Sequence, residues 1–91
     1  MLRVIYKKPF RKSLKKYKHN PTILSELKHV VNLLAGNKAL PTKYKDHELK
    51  GNLKGIRELH LKPDDLLLYV KVEHESITLL NIGNHADLFK M

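Results

Sequence analysis

The 91-residue chain is at the small end of the single-domain range, so one core and one domain over residues 1–91 are expected. It has no cysteine, which excludes a disulfide framework and a thiolate metal site and favours a reducing, cytoplasmic compartment. A formal charge of +9 predicts an anionic partner. The chain has no apolar run of about 18 residues, so neither a membrane span nor a signal peptide is expected.

The first elements are a short strand and a basic helix. Residues 2–6 alternate between two faces as a strand does, and Pro9 ends that pattern. Pro9 is tolerated in a first helical turn, and the apolar residues that follow it have helical spacing: Phe10, Leu14 and Tyr17. Eight Lys and Arg residues precede the first acid, Glu26, so this helix is a candidate RNA-binding or ribosome-binding surface.

Within this helix, Lys12, Lys15 and Lys16 are the candidate contacts with RNA. Most charge runs only solvate a helix face, but eight bases without an acid weaken that interpretation. A membrane surface would also attract the helix. Its apolar stripe is narrow and is needed for packing on the sheet, so lipid is the weaker alternative.

A second helix is predicted from Pro21 to about residue 35. Asn20 is a suitable N-cap, and apolar residues recur at steps of three and four until Gly36. The next twenty residues contain Pro41 and two glycines among polar groups, which indicates a long connection that carries function.

Three strands are predicted after this connection, at residues 56–61 (IRELHL), 66–72 (LLLYVKV) and 77–82 (ITLLNI). Short turns separate them, so they read as an antiparallel meander. The order of one strand, two helices and three strands predicts an α+β domain whose helices cover one face of the sheet. The other face is left free for function.

Polar side chains are expected to meet on this free face. Strand alternation places Glu58 and His60 opposite Arg57, Leu59 and Leu61, and it turns Asn81 away from Leu80 and Ile82. His60 and Asn81 are therefore predicted to share the face. At its rim we expect three further residues from the adjoining loops and turns: His47, Asp64 and His85.

These residue types suit cleavage of RNA at its own 2′-hydroxyl. The reaction needs a base for the 2′-hydroxyl proton, an acid for the leaving 5′-oxygen, and positive donors for the developing phosphate charge. Histidine can fill the first two roles near neutral pH, Asp64 can act as a base or orient a histidine, and Arg57 can supply charge. His19, His29 and His74 are expected to be ordinary surface residues.

The same cluster could bind zinc through nitrogen and oxygen ligands. It lacks the short spacing between histidines that marks such sites, so no metal ligand is assigned.

The C-terminal half closely resembles the YafQ-type toxins of the RelE superfamily. Residues 46–55 (DHELKGNLKG) and 57–64 (RELHLKPD) match the family's DH-x-L-x-G and RE-x-H-x-x-PD signatures, and residues 83–89 (GNHADLF) are similar to its G-S-H-S-x-L-F terminus. These motifs stand in family order over about residues 46 to 89. The first 45 residues agree only in their pattern of strand, helix and helix.

The resemblance implies a RelE-like fold, with two N-terminal helices on one face of a four-stranded, mostly antiparallel sheet; a short C-terminal helical turn is compatible with it. It also implies a ribosome-dependent mRNA endoribonuclease that needs no cofactor or metal. A cognate acidic antitoxin would inhibit this activity, and the protein would contact DNA only through the complex with that antitoxin. The matching active-site positions are His47, His60, Asp64, His85 and Phe89, with Phe89 stacking on or packing near the substrate.

Two residues depart from the family pattern. Asn81 occupies the place where the family usually has an arginine, and it brings no positive charge. Asp65 stands where the family's best-known member has a tryptophan, and its carboxylate is expected to repel phosphate. These departures leave a rival hypothesis: a catalytically weak or inactive toxin-like module that binds an antitoxin and acts in operon autoregulation.

Overall fold

The computed structural model describes residues 1–89, which form one mixed sheet with the two N-terminal helices packed on one face. The strands are β1 (Arg3–Tyr6), β2 (His47–Glu48), β3 (Arg57–Lys62), β4 (Asp65–Val72) and β5 (Ser76–Gly83). The helices are α1 (Lys8–Leu14), α2 (Pro21–Ala35) and α3 (His85–Leu88), with 3-10 turns at Lys15–Tyr17, Thr42–Tyr44 and Gly51–Leu53. The predicted α+β class is confirmed.

Helix α2 begins and ends where the sequence predicts. The side chain of Asn20 accepts a hydrogen bond of 3.1 Å from the backbone N–H of Ile23, which satisfies one of the free donors of the first turn. At the other end, the N–H of Gly36 bonds the carbonyl of Asn32, and the helix stops. None of the helices in residues 1–89 is both long and apolar enough to cross a membrane.

The sheet has five strands rather than the four predicted, in the order β1-β5-β4-β3-β2. Strand β1 is parallel to β5, and the other neighbours are antiparallel. The additional strand, β2, lies inside the segment predicted as a connection. It has only two residues, His47 and Glu48, and a two-residue strand is too short to give a signal of alternation.

The core lies between the sheet and helices α1 and α2. Its strand residues alternate along the chain, and its helix residues come from the inner faces of α1 and α2: Phe10, Ile23, Leu27, Val30, Leu34, Leu59, Leu61, Leu67, Tyr69, Ile77, Leu79 and Ile82. We call this side of the sheet the covered face and the opposite side the open face.

A β-bulge in β5 decides which residues reach the open face. Asn81 pairs with Leu68 and Leu79 with Tyr69, so Leu80 is an extra residue in this strand. The bulge allows both Leu79 and Ile82 to enter the core, and it turns Asn81 to the open face. The predicted face of Asn81 is confirmed, but its core-facing neighbour on the N-terminal side is Leu79 and not Leu80.

Candidate active site

The open face presents polar residues in two adjacent rows across the strands. The register of β2, β3, β4 and β5 aligns His47, Glu58, Leu68 and Asn81 in one row. The next row contains His60, Leu66 and Gly83. Strand pairing therefore places two histidines and one carboxylate within reach of each other.

Glu58 lies between the two histidines. Its Oε1 atom is 3.5 Å from Nε2 of His47 and 3.6 Å from Nε2 of His60. The side chain of Glu58 is only 6% exposed, whereas that of His47 is 50% exposed and that of His60 is 21% exposed. The cluster thus has a buried carboxylate at its base and two imidazoles that solvent or a substrate can reach.

Backbone carbonyls hold both rings from the other side. Nδ1 of His47 lies 2.7 Å from the carbonyl oxygen of Lys45, and Nδ1 of His60 lies 3.3 Å from that of Pro63. A carbonyl oxygen can only accept a hydrogen bond, so each contact requires the proton on Nδ1. In the neutral rings, Nε2 then carries the lone pair, and it is the nitrogen that can accept a proton.

Helix α3 brings the C-terminal motif over the same face. Asn84 caps the helix by accepting a hydrogen bond of 2.8 Å from the N–H of Asp87. The helix lies so close to Gly83 that a Cβ atom there would be 3.2 Å from Cβ of Asp87. His85 is thereby placed with its ring centroid 6.4 Å from that of His60, and Phe89 lies 5.7 Å beyond His85.

The structure therefore brings together His47, His60, His85 and Phe89, as predicted. Asp64 lies exposed in the turn between β3 and β4, directly after the carbonyl that holds His60. Asn81 uses its side-chain oxygen to accept a hydrogen bond from the N–H of Ile82, which leaves its NH₂ group as a donor.

Arg57 does not join this group, which corrects the expectation that it would stabilise the phosphate. Its guanidinium donates to both carboxylate oxygens of Asp46, at 3.3 and 2.9 Å, on the covered face. Tyr69 donates a further hydrogen bond to Asp46, and the pKa of Tyr69 is raised by burial and by this bond. The pairing with Asp46 also raises the pKa of Arg57, so its charge remains committed there.

This network has a positioning role instead. Asp46 directly precedes His47, and its two partners lie on β3 and β4. The covered-face contacts of Asp46 therefore attach the residue before His47 to the centre of the sheet.

Asp65 also lies on the covered face. The expectation that its carboxylate repels the phosphate is therefore wrong, because the carboxylate does not face the open side. The hydroxyl of Tyr17 donates a hydrogen bond of 3.0 Å to Oδ1 of Asp65. Burial, together with this bond, raises the pKa of Tyr17 to about 12. The carboxylate is held by the helical layer and does not face the histidines.

The lysines assigned to RNA contact from the sequence lie apart from those beside the histidines. Lys12, Lys15 and Lys16 are exposed on α1 and the turn after it, which belong to the helical layer and not to the histidine cluster. By contrast, Lys45 and Lys62 line a groove beside His60.

Sequence reasoning missed Glu58, Lys45 and Lys62 as site residues. For Glu58 a signal existed, because alternation already placed this carboxylate on the face of His60. The same alternation was a signal for Lys62, which follows His60 by two residues in β3. For Lys45 there was no signal, since its approach to His60 depends on the folding of the segment before β2. No group of three or more His, Asp or Glu residues in the described chain is arranged to hold a metal ion.

Comparison with known proteins gives consistent matches over nearly the whole chain. Residues 2–90 match the sequence model of the family described as bacterial toxin of type II toxin-antitoxin system, YafQ. The mRNA interferase toxin YafQ of Escherichia coli (strain K12) is 36% identical over 85 residues, which cover 92% of this chain and 87% of that protein.

Solved structures agree with this match. A metal-bound toxin from Helicobacter pylori has a TM-score of 0.88 and 46% identity, covering 98% of this chain and 100% of that one. The Escherichia coli DinJ-YafQ complex has a TM-score of 0.86 and 32% identity, covering 98% and 99%.

Proposed function

The chain belongs to the YafQ family of bacterial type II toxin-antitoxin toxins, and on this premise we propose that it is an endoribonuclease that cleaves mRNA and so inhibits translation. One observation carries the proposal. Three histidines, His47, His60 and His85, converge on the open face, where no helix of the N-terminal layer covers them. Their arrangement provides the proton acceptors and donors that cleavage at a 2′-hydroxyl requires.

The proposed reaction is an internal displacement at phosphorus. A histidine Nε2 takes the proton of the 2′-hydroxyl, and the 2′-oxygen forms a bond to phosphorus while the bond from phosphorus to the 5′-oxygen breaks. A second group gives its proton to that 5′-oxygen. His47, His60 and His85 share these roles, and Asp64 at the rim assists proton transfer.

Charge stabilisation is assigned to lysines near the histidines rather than to Arg57. Lys45 and Lys62 line the groove next to His60, so their ammonium groups can approach a phosphate held there. Asn81 contributes its NH₂ group as a hydrogen-bond donor on the same face. This arrangement supplies the positive charge that the family arginine would bring.

Phe89 is assigned to substrate positioning. Its ring packs near that of His85 and is partly exposed, so one of its faces can stack on a base. Stacking is tolerant of base identity and typically contributes about 1 to 3 kcal/mol per base.

Partners follow from the family and from the charge. The solved DinJ-YafQ complex supports an antitoxin partner for this chain, and the +9 charge favours an acidic one. We assign Lys12, Lys15 and Lys16 to contact with the ribosome, because they form an exposed basic surface on a layer remote from the histidines. DNA would be contacted only through the antitoxin complex.

The test is cleavage of mRNA by the purified protein, free and bound to ribosomes. We expect cleavage of an all-ribose substrate, with a 2′,3′-cyclic phosphate end, and none when the nucleotide before the cut carries a 2′-deoxy sugar. A parallel reaction with a metal chelator tests the expected independence of metal. Equal cleavage of the 2′-deoxy substrate would contradict this chemistry. We also expect ribosome-bound mRNA to be cleaved faster than free mRNA.

A further inference from the structure

The buried carboxylate of Glu58 is a feature that the reaction described above does not use. A buried carboxylate is costly unless it is paired, and its Oε1 atom faces both Nε2 of His47 and Nε2 of His60 within 3.6 Å. The two imidazoles are the basic groups that this carboxylate contacts in the described chain.

The effect of the carboxylate on the two rings depends on where their protons lie. Both Nδ1 atoms carry protons, because each lies against a backbone carbonyl, so both Nε2 atoms of the neutral rings carry lone pairs. The carboxylate oxygen beside an unprotonated Nε2 has no hydrogen to accept, so the contact does not stabilise the neutral ring. Once a ring accepts a proton on Nε2, the ring carries a positive charge that lies within 3.6 Å of the carboxylate and is attracted to it.

We propose that Glu58 is a positioning residue that stabilises the imidazolium form of His47 or of His60 when one of the two rings accepts the proton of the substrate 2′-hydroxyl. The proposal rests on the proposed RNA cleavage. The O–H bond of the 2′-hydroxyl breaks, the N–H bond forms at Nε2, and the new imidazolium charge lies next to Oε1 of Glu58. The interaction strengthens only as the proton moves, so it lowers the barrier without tightening substrate binding.

Other ionisable groups lie near His60. His85 approaches it from α3, and Lys43, Lys45 and Lys62 line the groove beside it. Glu26 also lines this groove, but its carboxylate accepts a hydrogen bond from Tyr44 and lies 3.9 Å from Nζ of Lys43. The histidine and the lysines, in their cationic forms, oppose a further positive charge on His60. Glu58 is the acid in direct contact with both rings, and it offsets that repulsion.

The first test replaces Glu58 with glutamine. The amide is of similar size, but it has no charge to stabilise an imidazolium, and its NH₂ group can donate to the lone pairs that should accept the proton. We expect kcat to fall by about 10²-fold, near the lower end of the range for losing acid-base catalysis, with KM unchanged. The matched control is Glu75→Gln, which makes the same charge change in an exposed turn and should cleave at the wild-type rate.

Retained kcat in a folded Glu58→Gln variant, or an equal loss in the Glu75→Gln control, would overturn the proposal. Failure of the proposed function itself is distinguishable, because then the wild type would not cleave RNA. Glu58→Asp keeps the charge on a shorter side chain and should recover part of the lost rate.

A second measurement needs no variant and covers the case in which Glu58→Gln fails to fold. In ring-nitrogen NMR spectra of the protonated wild type, the Nε2–H proton of His60 should exchange with water more slowly than that of the exposed His19. Equal exchange at both rings would show that Glu58 does not hold the protonated form.

Discussion

The two faces of the sheet use polar side chains in opposite ways. On the covered face, Asp46 is bonded by Arg57 and Tyr69 at normal or short hydrogen-bond distances, and its charge is fully engaged. On the open face, the contacts of Glu58 with the histidines are 3.5 and 3.6 Å, longer than hydrogen bonds. One face fixes the strands, and the other keeps groups ready to exchange protons.

Strand β3 connects these two tasks within six residues. Leu59 and Leu61 are buried in the core, whereas Glu58 and His60 belong to the histidine cluster. Stability and catalysis should therefore be separable by substitutions at neighbouring positions.

The largest expected effect is on the open face. His85→Ala should lower the rate of RNA cleavage by about 10²- to 10⁴-fold, because the variant lacks an acid-base group. The side chain is exposed and outside the core, so thermal stability should change little. Growth arrest on induced expression should be relieved, and equal toxicity of a folded variant would remove His85 from the mechanism.

On the covered face, Leu59→Ala should destabilise the fold by about 2 to 5 kcal/mol in denaturant unfolding, because it leaves a cavity at a fully buried site. Val72→Ala is the control, since Val72 is 43% exposed and its truncation should cost far less. The comparison of the faces would be wrong if Leu59→Ala lost activity with unchanged stability.

Neutralising the basic surface of the helical layer should have a smaller effect on binding. The logarithm of the binding constant for RNA or ribosomes falls linearly with the logarithm of the salt concentration. Changing Lys12, Lys15 and Lys16 to glutamine should make this slope shallower by up to about 2. The control changes three other exposed lysines: Lys28, Lys38 and Lys54. An unchanged slope in the first variant would mean that its lysines only solvate the helix.

The smallest expected effect concerns the contact between Tyr17 and Asp65. The folded pKa of Tyr17 is about 12 against an ordinary value of 10.0, so its stabilisation is present below pH 10 and is lost as the pH rises toward 12. Tyr17→Phe should lower the free energy of unfolding at neutral pH by about 1 kcal/mol and reduce its fall between pH 10 and 12. An identical alkaline fall in the variant would contradict this assignment.

The sequence predicted the elements that have a strong period and the residues that have a motif. The cap at Asn20, helix α2 and the histidines of the C-terminal motifs are examples. Strand β2 was missed because two residues have no period. Strand alternation placed Arg57 on the side opposite His60, but its partner Asp46 was missed because it is 11 residues away along the chain. The contact of Asp65 with Tyr17 on the covered face was missed because the two residues are 48 positions apart.

If the open face of the sheet performs the chemistry, replacing His60 on that face should abolish most of the cleavage. The measurement is the single-turnover rate of mRNA cleavage by wild type and His60→Ala, with folding of the variant checked by its thermal transition. We expect a loss of about 10²-fold or more in a variant that remains folded. A folded His60→Ala protein that cleaves at the wild-type rate would contradict it.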